Sequence, residues 1–241
     1  PVIDYRKRFD DPILGGRLQL QANSLAIGRS EGQDTQRAFG SARWDLRKLT
    51  DWGQEITFTG FVRGDVYHSD DNALNETAIY RGNGGWQTRA IATAAIDVKW
   101  PLIGEAFGGT QTITPRFQIV ATPGLAYLSL PNEDSRAVDL EDSNLFALNR
   151  FPGYDRYEDN VRATYGAEWE INRPNLQLNM IVGQSYRLEN NDNIVPDGTG
   201  LSDRFSDIVG RTNVRFKDVV KFTHRFRLDK DNLAVRRNEI D

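Results

Sequence analysis

Nine arginines sit on the polar side of alternating stretches: Arg37, Arg43, Arg63, Arg89, Arg116, Arg162, Arg187, Arg211 and Arg215. A guanidinium fork binds phosphate or carboxylate in bidentate fashion, so rows of them on one surface have the chemistry to receive an anionic glycolipid head group. The same rows carry Glu55, Asp65, Asp97, Glu168, Glu170 and Asp207. Mutual ion pairing across a polar surface is therefore an equally physical use of these arginines.

Bond-making chemistry has far less to work with. There is no cysteine, so disulfides, Cys-based zinc sites and thiol nucleophiles are excluded. His68 and His224 are the only imidazoles. Pairing either with Ser69 or Ser185 gives a formal Ser–His hydrolase, but there is no GxSxG and no supporting spacing. The oxygen-rich run Asn190–Gly198 lacks the order of a calcium loop and reads as a solvated tip, as do Asp70-Asp71 and Glu141-Asp142. With no P-loop and no dinucleotide fingerprint, we expect no cofactor, no metal and no catalytic residue.

The elements that position the arginines have a period of two. Ala38, Gly40, Ala42, Trp44 and Leu46 alternate with Arg37, Phe39, Ser41, Arg43, Asp45 and Arg47. Ile56, Phe58, Gly60, Val62 and Val66 alternate with Glu55, Thr57, Thr59, Arg63 and Asp65. The row Trp86, Ala90, Ala92, Ala94, Ile96, Val98 and Trp100 has an aromatic at each end, as the two interfaces of a bilayer favour. Similar alternation at 160–172, 176–188, 207–216 and 220–228, with weaker runs at 17–29 and 111–121, predicts an all-β chain of about ten strands.

Strand length separates a soluble sheet from a membrane barrel. Ordinary strands average about 5 to 6 residues, whereas tilted bilayer-crossing strands need about 9 to 11. These runs are of the longer kind. Short connections near 49–53, 172–175, 217–218 and 229–232 alternate with long polar ones near 68–85, 122–159 and 189–206, the rim layout of an antiparallel up-and-down outer-membrane β-barrel. A soluble β-sandwich or solenoid is the alternative. No stretch approaches the roughly 20 apolar residues of a membrane helix, and the net charge of −4 argues against nucleic acid as a partner. The ends, PVIDYR and RRNEID, lack a leader and stop early in a strand, so an excerpt of a longer chain is expected.

One stretch is too unusual for periodicity alone. It holds Pro131-Asn132-Glu133-Asp134-Ser135, then Asp142-Ser143-Asn144-Leu145-Phe146, then Asn149-Arg150-Phe151-Pro152-Gly153-Tyr154-Asp155-Arg156-Tyr157-Glu158, and finally Arg162-Ala163-Thr164-Tyr165-Gly166. With PVIDYR, Trp52-Gly53, Trp100-Pro101-Leu102 and Gln111–Arg116, it resembles the LptD family of lipopolysaccharide-assembly proteins across essentially the whole chain. Asp159-Asn160 departs from the glycine expected there.

The resemblance implies a single segment, 1–241, of a larger outer-membrane barrel, with the periplasmic jelly-roll, the gate strands and the family's cysteines elsewhere. It implies lipopolysaccharide as cargo, the lipoprotein LptE as lumenal plug, the periplasmic bridge LptA as donor, outer-membrane lipids around the wall, and no enzyme activity. Its motif residues here are Pro131, Asn132, Glu133, Asp134, Ser135, Asn144, Phe146, Arg150, Pro152, Gly153, Asp155 and Arg156. Rival readings are a diffusion porin and an outer-membrane lipid hydrolase. Two structural expectations follow. On 160–172, Ala163, Tyr165, Ala167 and Trp169 face lipid and Arg162, Thr164, Glu168 and Glu170 the lumen. Residues 131–159 fold over the mouth or into the lumen and bury Leu145, Phe146, Phe151 and Tyr154.

Overall fold

Long alternating strands joined mostly through adjacent hairpins can only build an antiparallel meander. The computed structural model describes residues 1–126, 128–189, 195–217 and 219–241. It has strands β1 (Val2–Ile13), β2 (Gly16–Ile27), β3 (Asp34–Leu49), β4 (Glu55–Asp70), β5 (Gly85–Lys99), β6 (Leu102–Ala106), β7 (Gly109–Thr122), β8 (Asn160–Arg173), β9 (Leu176–Arg187), β10 (Ile208–Phe216), β11 (Val220–Leu228) and β12 (Val235–Ile240). They form one twelve-stranded up-and-down sheet whose edges are β1 and β12; the sheet does not close on itself, as befits part of a larger barrel. Among the described residues, helix is confined to a 3-10 turn, Asn72–Leu74, and one turn, Ala78–Arg81.

Twelve strands stand where about ten were expected. β1 hides its period because Lys7 shares the outer row with Tyr5 and Phe9, its ammonium 5.2 Å from the Phe9 ring centre. β6 is only five residues long. It carries β5 onward along β7 after a break at Trp100-Pro101, where proline has no N–H to give the ladder. The chain then reverses at Phe107-Gly108, as β1 and β2 reverse at Leu14-Gly15; both residues of each pair have positive φ, which two-residue hairpins of the twisted kind require.

The two faces have the polarity expected from the period. Val62, Ile96, Phe117 and Trp86 are exposed on the outer face, while Arg37, Arg63, Asp65, Arg162 and Arg187 are buried on the inner one. This reverses a water-soluble sheet, whose apolar side is hidden. The long connections share one rim and the short turns the other. The Asp229–Ala234 connection, although short, belongs to the long-loop rim: Lys230 reaches Asp203 at 3.3 Å.

Between β7 and β8 the described residues from 123 to 159 have no regular secondary structure. Leu140, Leu145 and Phe151 are buried against Val195, Leu201 and Val209, with Phe146 packed beside them. Tyr154 is half-buried, its ring 4.8 Å from that of Phe39 on the inner row of β3. The segment thus lies as a strap across the inner face.

Candidate functional site

Where the strap meets the wall, inward arginines from five strands converge on its C-terminal half. Gly153 initiates this part. Its φ is +69°, and a Cβ there would fall about 2.5 Å from Asp134, so only glycine fits the reversal. Asp134 then accepts the backbone N–H groups of Tyr154 and Asp155 at 3.0 and 2.9 Å, and the Ser135 hydroxyl accepts those of Asp155 and Arg156 at 3.1 Å. These bonds, made within the strap, aim Asp155 at the sheet.

Asp155 is the first node. Its side chain is fully buried and accepts from Arg37 at 2.5 Å, from the Tyr67 hydroxyl at 3.0 Å and from the backbone N–H groups of Glu133 and Asp134 at 2.6 and 3.1 Å. Burial pushes its carboxyl up against the pull of Arg37. Burial also opposes charge on Asp134, but Arg37, 2.8 Å away, holds that carboxyl below its usual range. Beside the node, Arg63 and Arg89 share Asp65, each at 2.9 Å. Both also donate to the Tyr154 carbonyl, Arg89 at 2.9 Å, and Arg89 reaches the Asp155 carbonyl at 2.6 Å.

Glu158 is the second node. Arg150 grips it with both arms of its fork, one at 2.7 Å; Arg187 donates at 2.9 Å and Arg162 lies 3.3 Å away. Burial disfavours its charge, but the three guanidinium groups outweigh this and hold the carboxyl well below the ordinary glutamate range. Arg162 also donates to the carbonyls of Ala147 and Leu148 at 2.5 and 2.6 Å, tying the middle of the strap to β8. Tyr157 lies between the nodes, stacked on Phe61 at 5.6 Å and accepting from Thr93 at 3.0 Å.

The remaining motif residues secure the strap's start and flank. Glu133 pairs with Arg29 at 2.7 Å and with the Thr35 hydroxyl at 2.8 Å. Asn132 and Ser135 exchange bonds at 3.0 and 2.9 Å, and Asn132 N–H reaches the Tyr80 carbonyl at 3.0 Å. Pro131 is buried and Pro152 exposed. Arg156 donates to the carbonyls of Leu130 and Ile79 at 3.2 and 2.9 Å. Asn144 bridges Glu141 N–H and the Asp139 carbonyl, and Asp142 pairs with Arg211 at 2.9 Å. Asn160, at the expected glycine, has φ +67°, a left-handed conformation that asparagine tolerates.

Of the nine candidate arginines, Arg37, Arg63, Arg89, Arg162 and Arg187 are thus drawn together by the strap. Arg211 meets its flank. Arg43 pairs with Asp45 at 2.8 Å and Arg116 with Asp97 at 2.8 Å, further toward the short-turn rim, where Phe146 lies 4.0 Å from the Arg116 guanidinium carbon. Arg215 is exposed near that rim. Asp65, expected as an ion-pair partner of the inward arginines, takes that part with Arg63 and Arg89, whereas Tyr67 was not singled out from sequence and Glu158 stood in the family stretch without a role. The available signal for Glu158 was its place four residues before Arg162, the first inward arginine of β8.

The formal Ser–His pairs do not assemble. His68 faces outward against the Trp86 ring at 4.8 Å, while Ser69 points inward to the Asn83 carbonyl. Ser185 pairs with Thr164 at 3.0 Å on the inner face, and His224 binds Asn238 at 2.8 Å on β12. The calcium-like run falls largely on 190–194, outside the described residues.

The chain is 30% identical over 225 residues to an LPS-assembly protein LptD of a Polaromonas species, covering 90% of this chain and 26% of that protein. It is 28% identical over 162 residues to the LptD of Albidiferax ferrireducens, covering 64% and 20%. The identity is 42% over 71 residues to that of Nitrosospira multiformis, covering 30% and 7%. The chain therefore spans about a quarter or less of the length of these relatives. All of it, residues 1–241, matches the family described as LPS transport system D, and the chain belongs to that family, LptD.

Proposed function

We propose that this chain is a stretch of outer-membrane barrel wall in a lipopolysaccharide translocon of a Gram-negative bacterium. Its outer face meets the hydrocarbon of the bilayer; its inner face lines the lumen, and the strap narrows that lumen from the long-loop rim. The observation that carries this reading is the inversion of the sheet: exposed aliphatic and aromatic rows outside, buried arginines with carboxylate and carbonyl partners inside. In hydrocarbon an outward arginine near the midplane costs about 2 to 4 kcal/mol, whereas inside it meets water and partners.

The cargo on this reading is lipopolysaccharide, whose phosphates and carboxylates suit the inward guanidinium groups. Arg43, Arg116 and Arg215, which the buried nodes do not engage, are the first candidates for that contact. The lipoprotein LptE is proposed as plug and LptA as periplasmic donor, reached through a domain outside this stretch. The protein moves lipid without making or breaking bonds. The family match over the whole chain supports this over a diffusion porin, which would share the alternation and the arginine-lined inner face but not the stretch from Pro131 to Gly166.

Depleting the full-length protein in cells tests the transport role. Newly made lipopolysaccharide should then fail to reach the surface; normal arrival would overturn the proposal. Deleting 136–150 tests the strap, and sensitivity to large antibiotics should rise. Unchanged permeability would count against a narrowing role.

A further inference from the structure

β5 is paired along its whole length on one side but only in part on the other. Its ladder with β4 runs from Gly85 to Lys99, but its ladder with β7 covers only Ala94 to Lys99. Thr93 and Thr122 still touch through their hydroxyls at 2.8 Å, and beyond them the chain turns away at Pro123. Among the described residues, the edge of β5 from Gly85 to Thr93 has no ladder partner on the β7 side.

A hollow lies on the outer face beside this edge. Its volume is about 600 Å³, its floor is Ala42, Gly64, Ala90 and Ala92, and Pro123 and Leu125 form its rim. A second hollow of about 510 Å³ continues it toward Gly60 and Ala94. The register sets the small residues in successive rows, Gly40 beside Gly64 and Ala90, then Ala42 beside Val62 and Ala92. A Cβ at Gly40, Gly60 or Gly64 would meet nothing within 4 Å.

We propose that this hollow docks one lipid of the surrounding bilayer, its acyl chain along the small-residue rows and its linkage carbonyls on the free N–H groups of β5. The inference rests on the outer face meeting the membrane. There, unpaired backbone groups find no water, so an open edge needs a polar partner, while the hollow beside it needs an apolar one. An acyl lipid supplies both in one molecule. A strand added by another protein would pair the edge but leave the hollow beside it unfilled.

The test uses full-length protein in phosphatidylethanolamine–phosphatidylglycerol vesicles containing phosphatidylglycerol with a diazirine in its acyl chain. After photolysis, labelling is mapped by peptide mass spectrometry. Peptides containing 38–44, 60–66 and 88–94 should be labelled severalfold more than the equally outward Tyr165, Ala167 and Val182 of β8 and β9. The double variant Gly40→Leu, Gly64→Leu should bring them down to that level. Gly104→Leu, at another open glycine outside the hollow, should not. If the double variant fails to fold, the wild-type distribution still decides. Uniform labelling of all outward peptides overturns the dock but leaves the membrane reading standing. No labelling of any outward peptide overturns the membrane reading itself, and a cross-link to a co-purified protein at 88–94 reassigns the hollow to that partner.

Discussion

Arg63 and Arg47 both lie on inward rows of adjacent strands, each with a carboxylate partner, yet their surroundings differ completely. The Arg63 and Asp65 side chains are 3% and 0% exposed, whereas Arg47 is 71% exposed beside Glu55. The same contrast separates the whole long-loop half of the inner face, covered by the strap, from the open half toward the short turns. Strand and residue type are shared; the strap makes the difference. By excluding water it turns ion pairs that would contribute at most about 1 kcal/mol at a surface into contacts whose breaking leaves a buried charge.

Removing the Glu158 carboxylate should separate the halves most sharply. Glu158→Ala leaves Arg150, Arg162 and Arg187 buried around a lost partner and should cost about 3 to 5 kcal/mol in urea unfolding of the full-length protein. A loss below that range would mean the node is solvated. Gly153→Ala comes next. Positive φ and overlap with Asp134 should cost about 1 to 3 kcal/mol, and protease cleavage within 136–150 should quicken while the strands stay protected.

Acid should loosen the strap before the wall. Glu133, Asp134 and Glu158 titrate below their ordinary values in the folded chain. Their contribution is therefore complete above the unfolded carboxylate range, about pH 4.5, and is lost as pH falls below it. Asp155, raised by burial, has the opposite sign and offsets part of that loss. Proteolysis of the strap should thus stay flat from neutrality to about pH 5 and rise below; a rise near pH 7 would point to a different latch. The smallest effect belongs to the open half, where Glu55→Gln should change stability by less than about 1 kcal/mol.

The wall was legible because a period of two survives in the chain as written. β8 needs no knowledge of its partners to show Ala163, Tyr165 and Ala167 against Arg162, Thr164 and Glu168. β1 and β6 were not legible, one because Lys7 occupies an apolar row, the other because five residues carry too little pattern. The strap's apolar side chains foretold burial, but not their counterparts: Asp155 finds Arg37, 118 positions away in the chain. Such pairing is decided by the fold, and local pattern is silent about it.

Three cysteines on β8 bring wall and strap into one measurement, made on full-length protein in its membrane. Thr164→Cys lies beneath the strap, Ala167→Cys on the outer face, and Glu168→Cys on the open inner half. A water-soluble maleimide should label 168 alone, a lipid-soluble one should reach 167, and 164 should become labelled only when 136–150 is deleted. Aqueous labelling of 167 would contradict the membrane-facing wall, and aqueous labelling of 164 in the intact chain would contradict the strap.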